Sequence, residues 1–120
     1  KQWWNAFVKA IEWGLSDIVE IFFQKRRIYL KEDYYIGSLT LLHLAVGNGD
    51  MKTARFLLEH NANVNARTKN GESDIVNLSI TPMDMAILKG NISMKYLLAQ
   101  FGGVSSKENV GDSLQEIIQV

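Results

Sequence analysis

The chain of 120 residues contains no cysteine, and that excludes both a disulfide framework and thiolate chemistry. It is also a mild pointer to a reducing compartment, so a cytoplasmic location is expected. Histidine is nearly as scarce: His43 and His60 are the two present, with no metal-ligand spacing around either. There is no glycine-rich phosphate loop and no serine elbow. Asp17, Asp50 and Asp84 fall at turn or helix positions where polar residues are ordinary. No catalytic residue, cofactor, metal site or small-molecule substrate is therefore expected. Apolar runs stay far below the roughly 18 residues of a membrane-spanning helix, so no membrane span is predicted. No signal peptide is visible, although the chain begins at Lys1 rather than Met. An excess of charge is absent too: 13 basic residues balance 13 acidic ones. Nucleic acid and anionic membrane are disfavoured as partners on that ground.

What is present is a core-forming composition, 47% hydrophobic and 10% aromatic, in a chain long enough for one compact domain or a short array. It also contains an internal repeat. Thr40-Leu-Leu-His-Leu-Ala-Val-Gly-Asn-Gly49 recurs in altered form as Thr81-Pro-Met-Asp-Met-Ala-Ile-Leu-Lys-Gly90. Asn5-Ala-Phe-Val-Lys-Ala-Ile-Glu-Trp-Gly14 precedes it in the same grammar. Repeats of this length mean stacked supersecondary units.

Each unit reads as two short helices about a glycine turn. Trp4, Phe7, Val8 and Ile11 recur at helical steps before Gly14, and Ile18, Val19, Ile21, Phe22 and Phe23 follow it. Leu41, Leu42 and Ala45 precede Gly47-Asn-Gly49, with Ala54, Phe56, Leu57 and Leu58 beyond. The loop His60-Asn-Ala-Asn-Val-Asn-Ala66 has Asn residues that tolerate left-handed backbone, and Val64 is its apolar anchor. In the third unit Pro82 suits the first helical position. Met83, Met85, Ala86 and Ile87 share its helix, then Ile92, Met94, Tyr96, Leu97 and Leu98 the next. Gly102-Gly-Val104 is aligned with Ala62-Asn-Val64, one residue short. Finally Ser113-Leu-Gln-Glu116 is a capping-box pattern, and Leu114, Ile117 and Ile118 give the following residues an apolar face. That segment is either the first helix of a fourth unit or a terminal cap.

Thr40-Leu-Leu-His-Leu-Ala45, with Gly49, Leu57-Leu58 and Ala62-Asn-Val-Asn65, resembles an ankyrin repeat, whose pattern is a β-turn and two antiparallel helices with Thr-Pro-Leu-His-x-Ala. Unit two departs from it at Leu41, where Pro is usual. Unit three keeps Thr81-Pro82 and Ala86 but has Asp84 in the His place. Unit one keeps only Ala10, Gly14 and the hydrophobic helix, with Asn5 for Thr and Val8 for His. The resemblance spans residues 4–105. It implies an all-α ankyrin-repeat solenoid of stacked helix–turn–helix units joined by β-hairpin-like loops. The units expected are 1–36, degenerate; 37–70; 71–104, with an inserted loop near 73–80; and 105–120, a cap or the start of a fourth repeat. It also implies that His43 ties the Thr40 turn to its neighbours by hydrogen bonds.

A repeat of this family is expected to bind a protein partner without chemistry of its own, through its hairpin tips and first-helix surface. Carried over by position, the partner-binding candidates are Glu12 and Trp13 in unit one, and Tyr35, Ile36, Ser38, Gly47 and Asn48 in unit two. In unit three they are Lys69, Asn70, Glu72, Leu88 and Lys89. Trp13, Tyr35, Ile36 and Leu88 are either aromatic or apolar anchors for a partner or shields for the hairpin bases. Between Gly71 and Thr81 lie about eight residues more than the family spacing. Insertions map to loops on one face, so Ile75 and Leu78 join the candidates, the alternative being a neutral loop extension.

Lys25-Arg-Arg27, near Tyr29, Tyr34 and Tyr35, is either a phosphate-binding patch or a set of charges closing a helix, with Glu32 and Asp33 favouring the latter. Nine of the twelve aromatic residues lie in the first 35 positions. Adjacent Trp3 and Trp4 are not expected to face inward together. Asn77-Leu-Ser79 and Asn91-Ile-Ser93 match the glycosylation pattern by chance. The wider alternative is a targeting or regulatory segment of a larger protein, such as a bacterial effector or viral host-range factor acting in host cytoplasm. The Lys, Ile and Asn bias would suit an AT-rich genome. A monomer is favoured.

Overall fold

A computed structural model describes residues 2–30, 34–69 and 79–105. The order is α1 (Gln2–Glu12), α2 (Ser16–Lys25), β1 (Tyr35–Ile36), β2 (Leu39–Thr40), α3 (Leu41–Asn48), α4 (Met51–Glu59), α5 (Pro82–Leu88) and α6 (Ile92–Gln100). The fold is an all-α, ankyrin-like stack of helix pairs, as the family resemblance implies. First helices pack on first helices and second helices on second helices. A helix this short cannot hold itself together in water, so packing between units supplies its stability.

Why each pair turns where it does is visible in three equivalent glycines. Gly14, Gly49 and Gly90 adopt φ of 70°, 69° and 66°, a left-handed conformation that a Cβ disfavours. The next N–H reaches back to an alanine carbonyl in every case: Leu15 to Ala10, Asp50 to Ala45 and Asn91 to Ala86, at 2.8, 3.0 and 3.0 Å. This bond satisfies a helix-end carbonyl. The recurring alanines, almost fully buried, leave room for it.

The ends of the second helices correct the alignment drawn from sequence. Asn61 is left-handed (φ 74°), and Ala62 N–H bonds the Leu57 carbonyl at 2.9 Å. Gly102 is left-handed (φ 83°), and Gly103 N–H bonds Leu98 at 2.8 Å. Gly102 thus matches Asn61 and Gly103 matches Ala62, so Val104 stands at the place of Asn63 and is exposed rather than an anchor. Gly103 is required here for a second reason. A Cβ would come within 2.9 Å of the Leu98 carbonyl and 3.0 Å of Val64 of the preceding unit.

The core is continuous through the stack: Phe7, Ile11 and Val19, then Leu42, Ala45 and Leu57, then Ala86, Met94 and Leu98. Unit one fills its share with rings. Phe7 touches Phe22 and Phe23 edge-on, at 5.6 and 5.5 Å between centroids. Trp3 and Trp4 do not compete for one inward position. Both are half-buried, edge to face at 5.6 Å, and they straddle Phe7.

Candidate functional site

The hairpin and the first helices position the candidate residues. Gly37 (φ 63°) and Ser38 close a two-residue turn between β1 and β2, which pair Tyr35 with Thr40 and Ile36 with Leu39. Thr40 then caps α3. Its hydroxyl accepts the His43 N–H at 3.2 Å and faces His43 Nδ1 at 2.7 Å. Nε2 of the same ring lies 2.9 Å from the Ile80 carbonyl. A carbonyl can only accept, so Nε2 carries the proton and Nδ1 accepts from Thr40. One neutral, fully buried imidazole therefore joins the cap of unit two to the strand leading into unit three. This is the structural role that the family resemblance implies for His43.

Unit three rebuilds the joint with a carboxylate. Asp84 Oδ2 accepts the Thr81 N–H at 2.9 Å, and the Thr81 hydroxyl accepts the Asp84 N–H at 3.2 Å. Oδ1 of Asp84 accepts from the Ser105 hydroxyl, and the Thr81 hydroxyl donates to the Val104 carbonyl at 2.9 Å.

Three candidates come together at the hairpin tips. The Lys69 N–H donates to the Ser38 carbonyl at 2.9 Å, which lays the strand before unit three beside the turn. The Lys69 ammonium then sits 4.1 Å from the centre of the Tyr35 ring, a cation–π contact. The Tyr35 hydroxyl donates to the Arg67 carbonyl at 2.7 Å. Ile36 is half-buried and packs on the core.

A second group lies along the first helices. By repeat register, Trp13, Asn48 and Lys89 occupy equivalent places, as do Glu12, Gly47 and Leu88. Trp13 and Leu88 are 70% and 73% exposed, unusually open for side chains of their size. Leu44 and Met85, half-buried against the core, occupy the equivalent place one turn earlier in their helices. Asn48 is engaged within the stack: its amide donates to the carbonyls of Ile11 and Glu12 at 3.0 and 3.1 Å. The Glu12 carboxylate pairs with Lys9 at 3.3 Å. Asn70, Glu72, Ile75 and Leu78 lie outside the described residues. The base of their loop does not, because Thr68 N–H donates to the Ile80 carbonyl at 2.9 Å and Ile80 N–H to the Thr68 hydroxyl at 3.0 Å.

The basic triplet closes α2. Lys25 is its last residue, and Arg26 is its cap, with the guanidinium 4.4 Å over the Trp3 ring. Asn91 of the chance glycosylation pattern caps α6 through the Met94 N–H at 3.0 Å. Sequence reading missed Asn65, whose side chain accepts the Val104 N–H at 2.9 Å and donates to the Gly102 carbonyl at 3.1 Å. The repeated Asn-x-Asn of that loop was the available signal. It also missed the Tyr35–Lys69 pair, for which no local pattern exists. Among the described residues no His, Asp or Glu cluster is arranged to hold a metal ion, and no helix is long and apolar enough to cross a membrane.

Residues 38–69 match the family model of the ankyrin repeat. They form an ankyrin repeat. No curated protein matches the chain. Ankyrin repeats are generally protein–protein interaction modules and generally not catalytic, so a protein partner is the class of ligand that this repeat suggests.

Proposed function

We propose that this chain is a non-catalytic module that grips a protein partner across its hairpin tips and first-helix surface. Tyr35, Ser38 and Lys69 form the tip, with Trp13, Leu88 and Lys89 along the first helices. Glu12, Ile36 and Asn48 support that surface from behind, and the loop containing Asn70, Glu72, Ile75 and Leu78 extends it. The observation that carries the reading is the exposure of Trp13 and Leu88 at the C-terminal ends of the first helices of units one and three. Large apolar side chains of this kind are what interface hot spots use. Binding in host or cellular cytoplasm, as a monomer or as a segment of a larger effector or regulatory protein, is the setting that suits it.

The test is capture of a partner from lysate, followed by affinity measurement with purified components. Trp13→Ala is expected to weaken binding at least tenfold, on the order of the 1–2 kcal/mol typical of an aromatic anchor, with circular dichroism unchanged. A deletion within the inserted loop should spare Ser79 and Ile80, because they hold the joint to Thr68 and His43. Unchanged affinity in both variants would remove this surface from the reading.

A further inference from the structure

The first-helix surface has a dip in it that the fold does not require. Gly47 lies inside α3 and has none of the positive φ that fixes Gly14, Gly49 and Gly90. Within a helix, glycine is less favourable than alanine, so α3 itself gains nothing from it. Crowding does not call for it either. Among the described residues a Cβ at Gly47 would meet the Met85 sulfur alone, at 3.4 Å, an ordinary contact. The absent side chain leaves a shallow apolar depression. Leu44 and Met85, half-buried, lie one helical turn before Gly47 and Leu88, so Leu44, Met85 and the exposed Leu88 border it. Asn48, bonded to the carbonyls of Ile11 and Glu12, draws the end of α1 to the other side, where Trp13 is exposed.

Cations stand at both ends of this apolar strip. Lys89 follows α5 at the turn end and is exposed. At the hairpin end, Arg67 and Lys69 are exposed two residues apart with Thr68 buried between them, so they share one side of the extended segment. Lys69 is steadied over the Tyr35 ring, and Arg67 Nη1 donates to the Ser79 carbonyl at 3.3 Å. Among the described residues, none of these three cations pairs with a carboxylate, and the Glu12 carboxylate is already taken by Lys9. The helix α5 rises about 10 Å from Pro82 to Leu88. Carboxylates that answered both ends would therefore stand about three or four residues apart on an extended chain.

Given the binding role proposed above, on which this rests, we infer that the surface takes an extended acidic peptide segment of its protein partner. A compact apolar side chain of the segment enters the dip at Gly47. Carboxylates on either side of it meet Lys89 at one end and Arg67 with Lys69 at the other. Charge complementarity selects the acidic segment. The apolar strip between the cations favours a peptide over a nucleic-acid strand, whose charge recurs at every nucleotide.

Random dodecapeptides displayed on phage, selected against the full chain, are the probe. The expected consensus has Asp or Glu on both sides of an aliphatic residue, and fluorescence anisotropy of the synthetic consensus peptide gives its affinity. Gly47→Gln fills the dip and should weaken binding on the order of tenfold, without lowering the thermal midpoint. Gly47→Ala, the milder variant, should act in the same direction and leave the fold intact. Lys69→Gln and Lys89→Gln should each weaken binding about threefold, and the loss should shrink in high salt. Selection of neutral or basic peptides that Trp13→Ala weakens would overturn the acidic segment and keep the surface. So would acidic peptides indifferent to both Gly47 variants, or an oligothymidylate that binds as tightly and responds to the same substitutions. Enrichment of nothing would also overturn the acidic segment, because capture of the whole partner tests the module separately. Peptides indifferent to Trp13→Ala and to Gly47→Gln alike would remove the surface together with the binding role assigned to it.

Discussion

Units one and two share a backbone and little else. Unit two is knit by hydrogen bonds: Thr40 caps α3, His43 answers it and reaches Ile80, and Asp50 caps α4 through Thr53 N–H at 3.1 Å. Unit one has Asn5 and Val8 at the Thr and His places, and the residue before α2, Leu15, makes no side-chain cap. Five rings, Trp3, Trp4, Phe7, Phe22 and Phe23, stand in for those bonds. A further ring contact crosses the units, where Phe23 stacks on Phe56 at 5.2 Å with an 18° tilt between planes. The shared part is the left-handed glycine and the back-bonded alanine. The comparison teaches that turn geometry sets the helix pair, while its stabilisation can be either polar and directional or apolar and area-based.

The largest way to break that comparison is Phe7→Ala. Phe7 is fully buried at the centre of the ring cluster, and removing it should cost about 3–5 kcal/mol by transfer and cavity terms together. Chemical denaturation followed by Trp fluorescence measures it, and a loss under 1 kcal/mol would mean that the rings are not the core of unit one. Phe22→Ala is the internal control, because Phe22 is only half-buried and should cost less.

How legible this was in the sequence differs by unit for the same reason. The Thr40, His43 and Gly49 grammar of unit two reports itself, because a cap and a glycine turn are local and each residue type has one task. Ring packing is not local: nothing in the string says that Trp3 and Trp4 would share Phe7 rather than exclude each other. The Gly102-Gly103 pair misled for a related reason. Two glycines can each supply the left-handed position, and only the bond from Gly103 to Leu98 decides the register. At the candidate site, exposure of Trp13 and Leu88 followed from repeat position. The contact of Lys69 with Tyr35 joins residues that far apart in sequence, and no spacing rule encodes it.

His43→Asp sharpens the comparison between the two polar joints. It gives unit two the carboxylate of unit three, but the partner across the joint differs. In unit three Asp84 accepts from the Ser105 hydroxyl. In unit two an aspartate would face the Ile80 carbonyl, which can also only accept. Two acceptors without a proton between them should cost about 2–3 kcal/mol in urea unfolding. A variant as stable as wild type would show that the joint is interchangeable and that the His43–Ile80 bond contributes nothing.

Gly14→Ala probes what the two units share. A Cβ there would lie 3.8 Å from Asn48 Nδ2, an ordinary contact, so the cost is backbone strain at φ 70° and not crowding. About 1 kcal/mol is expected, measured as a drop in thermal midpoint. The same substitution at Gly49 (φ 69°, 3.7 Å from Asn91 Nδ2) should cost about as much. Unequal losses would mean that the glycine turn is not the common element.

The smallest effect belongs to the charged link that joins units one and two among the described residues. Lys52 on α4 bonds Asp17 at 3.0 Å and also meets Glu20, both on α2. The hydrogen bond to Glu20, then that to Asp17, raises its pKa above the ordinary lysine value. A raised pKa means that the folded state holds the proton more tightly than the unfolded chain does. The stabilisation is thus fully present below the unfolded lysine pKa and is lost as pH climbs through the folded one. Lys52 is solvent-exposed, so screening keeps the contribution small. Lys52→Met should lower the midpoint less than any variant above at neutral pH and low salt. The difference should close in 1 M salt, and again in strongly alkaline solution. A gap that survives both would place the effect in the aliphatic packing of Lys52 against α2, and unit one would then be held to unit two by apolar contact on this flank as well as at Phe23 and Phe56.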